Sequence, residues 1–250
     1  MPTFLSACPG AKHAEVPVRY TTSMQIAALV FPDIDQMDLT GPFEVLSRLP
    51  EARFKLVWKD LGAIRDTKGL ILTPGTLFPH APEAPDVLLV PGGPGQLALM
   101  DDRLVLEWLR SRAAKARYIL SVCTGALTLG AAGLLRRRHA TTHWNSLHLL
   151  PEFGAIAESA RVVVDGNLIS TAGVSAGIDG ALRLAALLAG DEVAQRIQLE
   201  MQYAPEPPFA SGTLAQAPAA IREAAQAAAA PLSAARLEAA RRATSRSSKL

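Results

Sequence analysis

Cysteine is scarce in this chain. Of its 250 residues only Cys8 and Cys123 carry a thiol. They lie far apart, and Cys8 falls in a segment without helical or strand periodicity, so no disulfide framework is expected. A reducing compartment suits such a chain, and a cytoplasmic location is the expectation. Long apolar runs are missing as well. Residues 1–23 lack the continuous apolar stretch of a signal peptide, and nowhere does the sequence sustain the roughly 18 apolar residues that a membrane span needs. Secretion and membrane insertion are both disfavoured. The first strand-like run begins at Met24, so residues 1–23 are expected to be a disordered extension or an over-long start, with Met24 as the alternative beginning. An excess of charge is absent too, the formal net charge being +2. Residues 211–250 hold six Lys/Arg and two Asp/Glu, a net of +4, which leaves residues 1–210 at −2. A slightly acidic body makes a poor nucleic-acid surface. The basic tail would suit an acidic partner, but a solvated helix face is the preferred reading of it.

What the chain does contain is apolar substance, 49% of it hydrophobic, enough for one sizeable core in one domain of residues 24–210 with tails. Met24–Phe31, Arg53–Lys59, Asp86–Val90 and Arg117–Val122 read as buried strands. Asp38–Leu49, Asp101–Ala116, Thr124–Leu135 and Ser175–Leu188 read as helices between and after them. That alternation predicts an α/β fold with a mostly parallel sheet covered on both faces. Val162–Ser170 is two apolar runs joined at Asp165-Gly166, a hairpin signal that predicts a small antiparallel addition. The prolines of Ala204–Phe209 end the compact body. Beyond them lies an Ala/Arg-rich helical tail over 211–250, read as two helices, Ala217–Ala229 and Pro231–Thr244, divided by Pro231.

Cys123 stands where the strand ending at Val122 meets the helix starting at Thr124. A nucleophile on such a turn is pushed to the carboxyl edge of the sheet, where open α/β folds bind ligands. The N–H groups and dipole of the helix would lower its thiol pKa. A buried structural cysteine is the alternative, and Gly125 and Ala126, small enough for a tight elbow, favour the nucleophile. Pro91-Gly92-Gly93-Pro94-Gly95 follows another strand end. No Gly-Lys-Ser/Thr follows it and its spacing does not fit a dinucleotide fingerprint. It is either an ordinary tight turn or a loop aiming N–H groups at a ligand. We read the N–H of Gly93 and that of Thr124 as two halves of an oxyanion-type hole. Asp33, Asp35 and Asp38 follow the first strand. The first two are read as cap or surface charges. Asp38, flanked by Met37 and Leu39, is expected to be partly buried, with a raised pKa and a proton at neutral pH.

These stretches together resemble the ThiJ/PfpI superfamily and, within it, the isocyanide hydratases. FPDIDQMDLTGPFEVL, VLLVPGGPG, YILSVCTGALTLGAAGLL, ATTHW, RVVVDGNLISTAGVSAGIDGAL and QLEMQYAPEPPF follow one another over about residues 24–210. The resemblance implies a flavodoxin-like (class I glutamine amidotransferase-like) homodimer in which Cys123 attacks the terminal carbon of an isocyanide and Asp38 is the general acid/base. A thioimidate would hydrolyse to an N-substituted formamide, with no cofactor or metal, no nucleic acid and no membrane as partner. Thr124 stands where peptidase-like relatives carry a histidine, which removes a local Cys-His pair. His143 of ATTHW either bonds to backbone or reaches the pocket. Val174-Ser175 stands where Ile-Thr is more frequent in the family, and marks a second piece of pocket wall. Two other readings compete. One is a ligand-sensing domain akin to AraC-type regulators, which append a helix-turn-helix pair that the 40 residues after position 210 do not resemble. The other is a redox-sensing or chaperone-like protein that uses Cys123 oxidation.

Overall fold

Apolar runs become strands where the sequence places them. In the computed structural model, which describes residues 23–247, Met24–Leu29 (β1) is buried at every position but Gln25. The expectation for residues 1–23 lies outside the described residues except at Ser23, and Cys8 lies outside them entirely. Ala52–Trp58 (β2), the two-residue Thr76–Leu77 (β3), Val87–Val90 (β4) and Tyr118–Val122 (β5) follow, and Val162–Asp165 (β6) and Leu168–Thr171 (β7) form the hairpin. They make one seven-stranded sheet in the order β6-β7-β5-β4-β1-β2-β3. Every pairing in it is parallel except that of β6 with β7. The central strands run 2-1-4-5-7, which is the flavodoxin-like order, with its switch point between β1 and β4. β4, Val-Leu-Leu-Val, is buried at all four positions, as expected for a strand covered on both faces. Truncating Leu89 there to alanine would cost about 2–5 kcal/mol.

Helices Gln36–Leu46 (α1), Arg103–Ala113 (α2), Gly125–Ala131 (α3), Ala176–Ala189 (α4) and Asp191–Glu200 (α5) complete the alternation. Asp35 caps α1, its Oδ1 accepting from Met37 N–H at 3.3 Å, and Asp102 caps α2 in the same way. α1 packs on α4 and α4 on α5, while α3 packs against the 3-10 segment Trp144–Phe153. No helix among the described residues is long and apolar enough to cross a membrane.

Two expectations are corrected. The hairpin loop is Gly166-Asn167, one residue later than read, because Asp165 still pairs with Leu168 and Gly166 takes the positive φ. The tail is one helix, Ala219–Ser247 (α6), running through Pro231. A proline removes a single backbone donor. The alanines on either side of it have the highest helix propensity, and the turns beyond are docked. α6 packs on the 3-10 segment, on α3 and on the short helical turn Gln96–Leu99. Arg236, Ala239, Ala240 and Ala243 are buried in the contact, while Arg241, Arg242 and Arg246 keep the expected solvated face, so Arg236 is the basic residue that departs from it. Arg242 and Arg246 both reach Asp101, which fastens the end of α6 to the loop before α2. Those two guanidiniums hold the Asp101 carboxyl below its ordinary range, the Arg242 hydrogen bond foremost.

Candidate active site

Four strand ends converge on one sulfur. β5 ends at Val122, and Cys123 then adopts φ +55°, the left-handed region that a non-glycine residue rarely occupies. Such strain persists only where the surroundings fix it, and here they do. Cys123 N–H is shared between Thr171 O at 3.2 Å and Ala172 O at 3.1 Å, at the end of β7, and Cys123 O accepts from Thr142 Oγ1 at 2.6 Å. Gly125, the first residue of α3, lets the elbow close, since a Cβ there would lie 2.0 Å from Val90 O. Cys123 is 6% exposed.

The glycine loop after β4 zips onto the turn after β1. Asp35 N–H donates to Gly92 O and Gly95 N–H to Asp33 O, each at 3.0 Å. Gly93 has φ +126°, and a Cβ there would stand 2.3 Å from Asp35 N. Gly92 N–H donates to Asp38 Oδ2 at 2.9 Å. Asp38 is wholly buried, and its Oδ1 has no hydrogen bond of ordinary geometry, the Cys123 thiol being its neighbour. Burial, and secondarily the charge of Asp35, push the Asp38 carboxyl from 3.8 up to about 8, while Gly92 N–H and the Cys123 thiol pull the other way. It therefore holds a proton at neutral pH.

The electrostatics at the sulfur run against the expected low-pKa thiol. Burial first and Asp38 second push the Cys123 thiol up, and the N–H groups of Thr124 and Val174 offset this only in part. A helix of seven residues adds little once the group has left water. The oxyanion assignment is corrected as well. Gly93 N–H donates to Thr124 Oγ1 at 3.1 Å. The N–H groups of Thr124 and Val174 are instead the ones that favour the anion at the sulfur. Gly93 N–H is thus already bonded within the loop pair rather than free for a substrate oxygen.

His143, Val174 and Ser175 all line one cavity of about 660 Å³. Met37, Trp144, Leu147 and Leu214 give it apolar walls, and Thr142, Arg161 and Thr213 polar ones. It lies against the elbow through Val174. His143 takes both roles that the sequence left open: it faces the cavity, and its Nδ1 accepts from Asn145 N–H at 3.4 Å. Burial holds the imidazole below its ordinary pKa, so it is neutral. Leu214 and its neighbours bring the segment after the prolines back to the body. Asp33 is exposed and Asp35 is the α1 cap. Another hollow, about 480 Å³, lies between residues 94–98 and α6 and has no cysteine, serine or histidine in its wall. Among the described residues no group of three His, Cys, Asp or Glu could hold a metal ion.

Sequence reading missed Arg236. It is 3% exposed and reaches from α6 to the elbow, donating to Gly93 O at 3.0 Å and, through the same nitrogen, to Thr124 Oγ1 at 3.4 Å. A signal was present: Ala239, Ala240 and Ala243 stand three, four and seven residues after it, a stripe of small residues on one helix face.

The profile of the DJ-1/PfpI family matches residues 24–187. An isonitrile hydratase from Pseudomonas putida is 51% identical over 204 residues, covering 82% of this chain and 89% of that protein. The crystal structure of a ThiJ/PfpI family protein from Pseudomonas syringae superposes with a TM-score of 0.88 at 39% identity, over 94% of this chain and 97% of that one. An HTH-type transcriptional regulator from Pseudomonas aeruginosa is 33% identical over 131 residues, which span 52% of this chain and 35% of the regulator.

Proposed function

The chain belongs to the DJ-1/PfpI family, and on that premise we propose that it is an isocyanide hydratase. The observation that carries the reading is the pairing of Cys123, in its strained elbow, with a buried Asp38 that holds a proton at neutral pH. An isocyanide carbon accepts a thiolate and becomes carbanion-like as the C–S bond forms, so a proton donor must stand beside the nucleophile. Asp38 fills that position. Once the Cys123–Asp38 pair has released one proton to solvent, the remaining proton lies on Asp38 and the sulfur is a thiolate. The thiolate attacks the terminal carbon, Asp38 protonates that carbon, and an S-linked thioimidate results. Asp38, now a carboxylate, takes a proton from water as the hydroxide adds to the same carbon. Collapse expels the Cys123 thiolate, the hydroxyl proton passes to nitrogen, Asp38 keeps the proton it took from water, and the product is an N-substituted formamide. Isocyanide plus water equals formamide, with no oxidant or reductant needed.

The neighbouring cavity supports this reading by its chemistry. Apolar walls from Met37, Trp144, Leu147 and Leu214 suit a hydrocarbon substituent on the isocyanide nitrogen, and neutral His143 brings no charge to repel it. The identity to the Pseudomonas putida enzyme runs over most of both chains and favours the same activity. The regulator reading has less support. Its match covers about a third of the regulator, and beyond residue 210 the described residues form a single helix rather than a helix-turn-helix pair. Formamide release from cyclohexyl isocyanide by the purified protein tests the proposal; no turnover across a panel of alkyl and aryl isocyanides would remove it. A homodimer is part of the same proposal, and light scattering in solution checks it.

A further inference from the structure

Arg236 is a buried cation that no carboxylate among the described residues pairs with. Its guanidinium donates to Gly93 O, Thr124 Oγ1 and, at 3.4 Å, Ser146 Oγ, and its Nε has no partner. None of the ion pairs among the described residues includes it. A carboxylate in such surroundings escapes by taking a proton. A guanidinium cannot give one up at any ordinary pH, so its charge stays and calls for an answer. The protein places this charge where α6 crosses the two strand-end loops that frame Cys123.

We propose that Arg236 is the fixed counter-charge of the Cys123 thiolate and the clamp on the Gly93–Thr124 contact, which makes the C-terminal helix part of the active site. Geometry carries it, and electrostatics agrees in direction. The clamp is geometric: one guanidinium nitrogen touches both members of the Gly93–Thr124 pair, whose Thr124 N–H favours the anion at the sulfur. The charge argument is electrostatic: burial weakens the hold of Arg236 on its proton, and the Cys123 anion is the group that strengthens it. The other charged or titratable groups facing this spot are Asp38 and Asp35 from the start of α1 and His143 from the 3-10 segment. The two carboxyls oppose a thiolate when ionised and His143 is neutral, whereas Arg236 is a guanidinium packed on the Gly93–Thr124 pair beside the elbow. Arg236 is thus a positioning residue. The role concerns the thiolate and not the electrophile, so it stands or falls apart from the isocyanide reading.

The test is the pH dependence of Cys123 alkylation by iodoacetamide in the full chain, followed by peptide mass spectrometry so that Cys8 is read separately. With Arg236→Met the midpoint should rise by about 1–2 pH units, the shift expected when a nearby buried opposite charge is lost. With Arg236→Lys, which keeps the charge, it should stay near wild type. An unchanged midpoint in Arg236→Met overturns the counter-charge. So does an equal rise in both variants, since that would reflect lost shape rather than lost charge. Should Arg236→Met not fold, Arg236→Gln, which keeps a donor for Gly93 O without the charge, carries the same comparison and the same two overturning results.

Discussion

Asp38 and Arg236 are both ionisable, both buried, and both neighbours of Cys123, yet the protein treats them in opposite ways. On the α1 side, the carboxyl meets one N–H, from Gly92, and a second acid at Asp35. It resolves its burial by staying protonated. On the α6 side, the guanidinium meets a carbonyl and two hydroxyls, and stays charged because it has no neutral form to retreat to. The sulfur therefore sits between a proton donor and a fixed cation. In the proposed reaction a thiolate must form and a carbon must be protonated, and here the two tasks fall to separate groups. A carboxylic acid carries no positive charge before it gives up its proton and a negative one after.

The comparison can be broken outright at its centre. Cys123→Ala removes the atom that both groups serve, and turnover of an aryl isocyanide, followed by absorbance, should fall to background. Next in size is the acid side. Asp38→Asn keeps the shape and loses the proton, and kcat/KM should drop about 10²–10⁴-fold. In the wild type, the Cys123–Asp38 pair releases its first proton near pH 8, so kcat/KM should climb through about that pH. The pair, and not either residue, owns that midpoint, and Asp38→Asn should displace it.

On stability, the sign follows from the raised carboxyl. The native state holds the Asp38 proton from about 4 to about 8 while the unfolded chain has already released it. Native stability from this group therefore declines as pH rises through that window and is flat above it. An amide in its place does not titrate and has no such decline, so the melting temperature of Asp38→Asn relative to wild type should increase between about pH 5 and pH 8, as calorimetry would show.

Smaller effects sharpen the basic side. Ala240 is wholly buried where α6 docks. Ala240→Leu should cost about 1–3 kcal/mol by overpacking, and by moving Arg236 off the elbow it should lower turnover about ten-fold. Gln226, on the exposed first half of the same helix, is the control. Gln226→Ala should leave activity unchanged and stability within about 0.5 kcal/mol in a denaturant titration. A loss there as large as at Ala240 would mean that the whole helix, and not its docked half, supports the site.

Local pattern sufficed wherever a feature is made by neighbours in sequence. The run Tyr118–Val122 followed by Cys-Thr-Gly-Ala marked the elbow, because an apolar strand giving way to small residues is written in consecutive letters. The apolar flanks of Asp38 likewise announced a buried acid. Residues 162–171 announced a hairpin whose loop was misplaced by one residue, since both Asp165-Gly166 and Gly166-Asn167 can turn. What nothing local could show was which N–H meets which acceptor. Gly93 N–H points at Thr124 Oγ1 across 31 positions of chain, and the thiol's raised pKa comes from burial beneath segments that lie far away in sequence. The Ala/Arg-rich end misled most, because an alanine stripe suits a solvated helix and a docked one equally.

By itself, then, the sequence determined the sheet, the strained cysteine at its edge and the acid set to meet it, because each follows from short-range periodicity and backbone sterics. Only the tertiary structure decided the charge state around that cysteine. Burial and the approach of Arg236 from far beyond Cys123 in the chain are properties of packing, and the energy of a charge in a protein depends on everything that surrounds it in space.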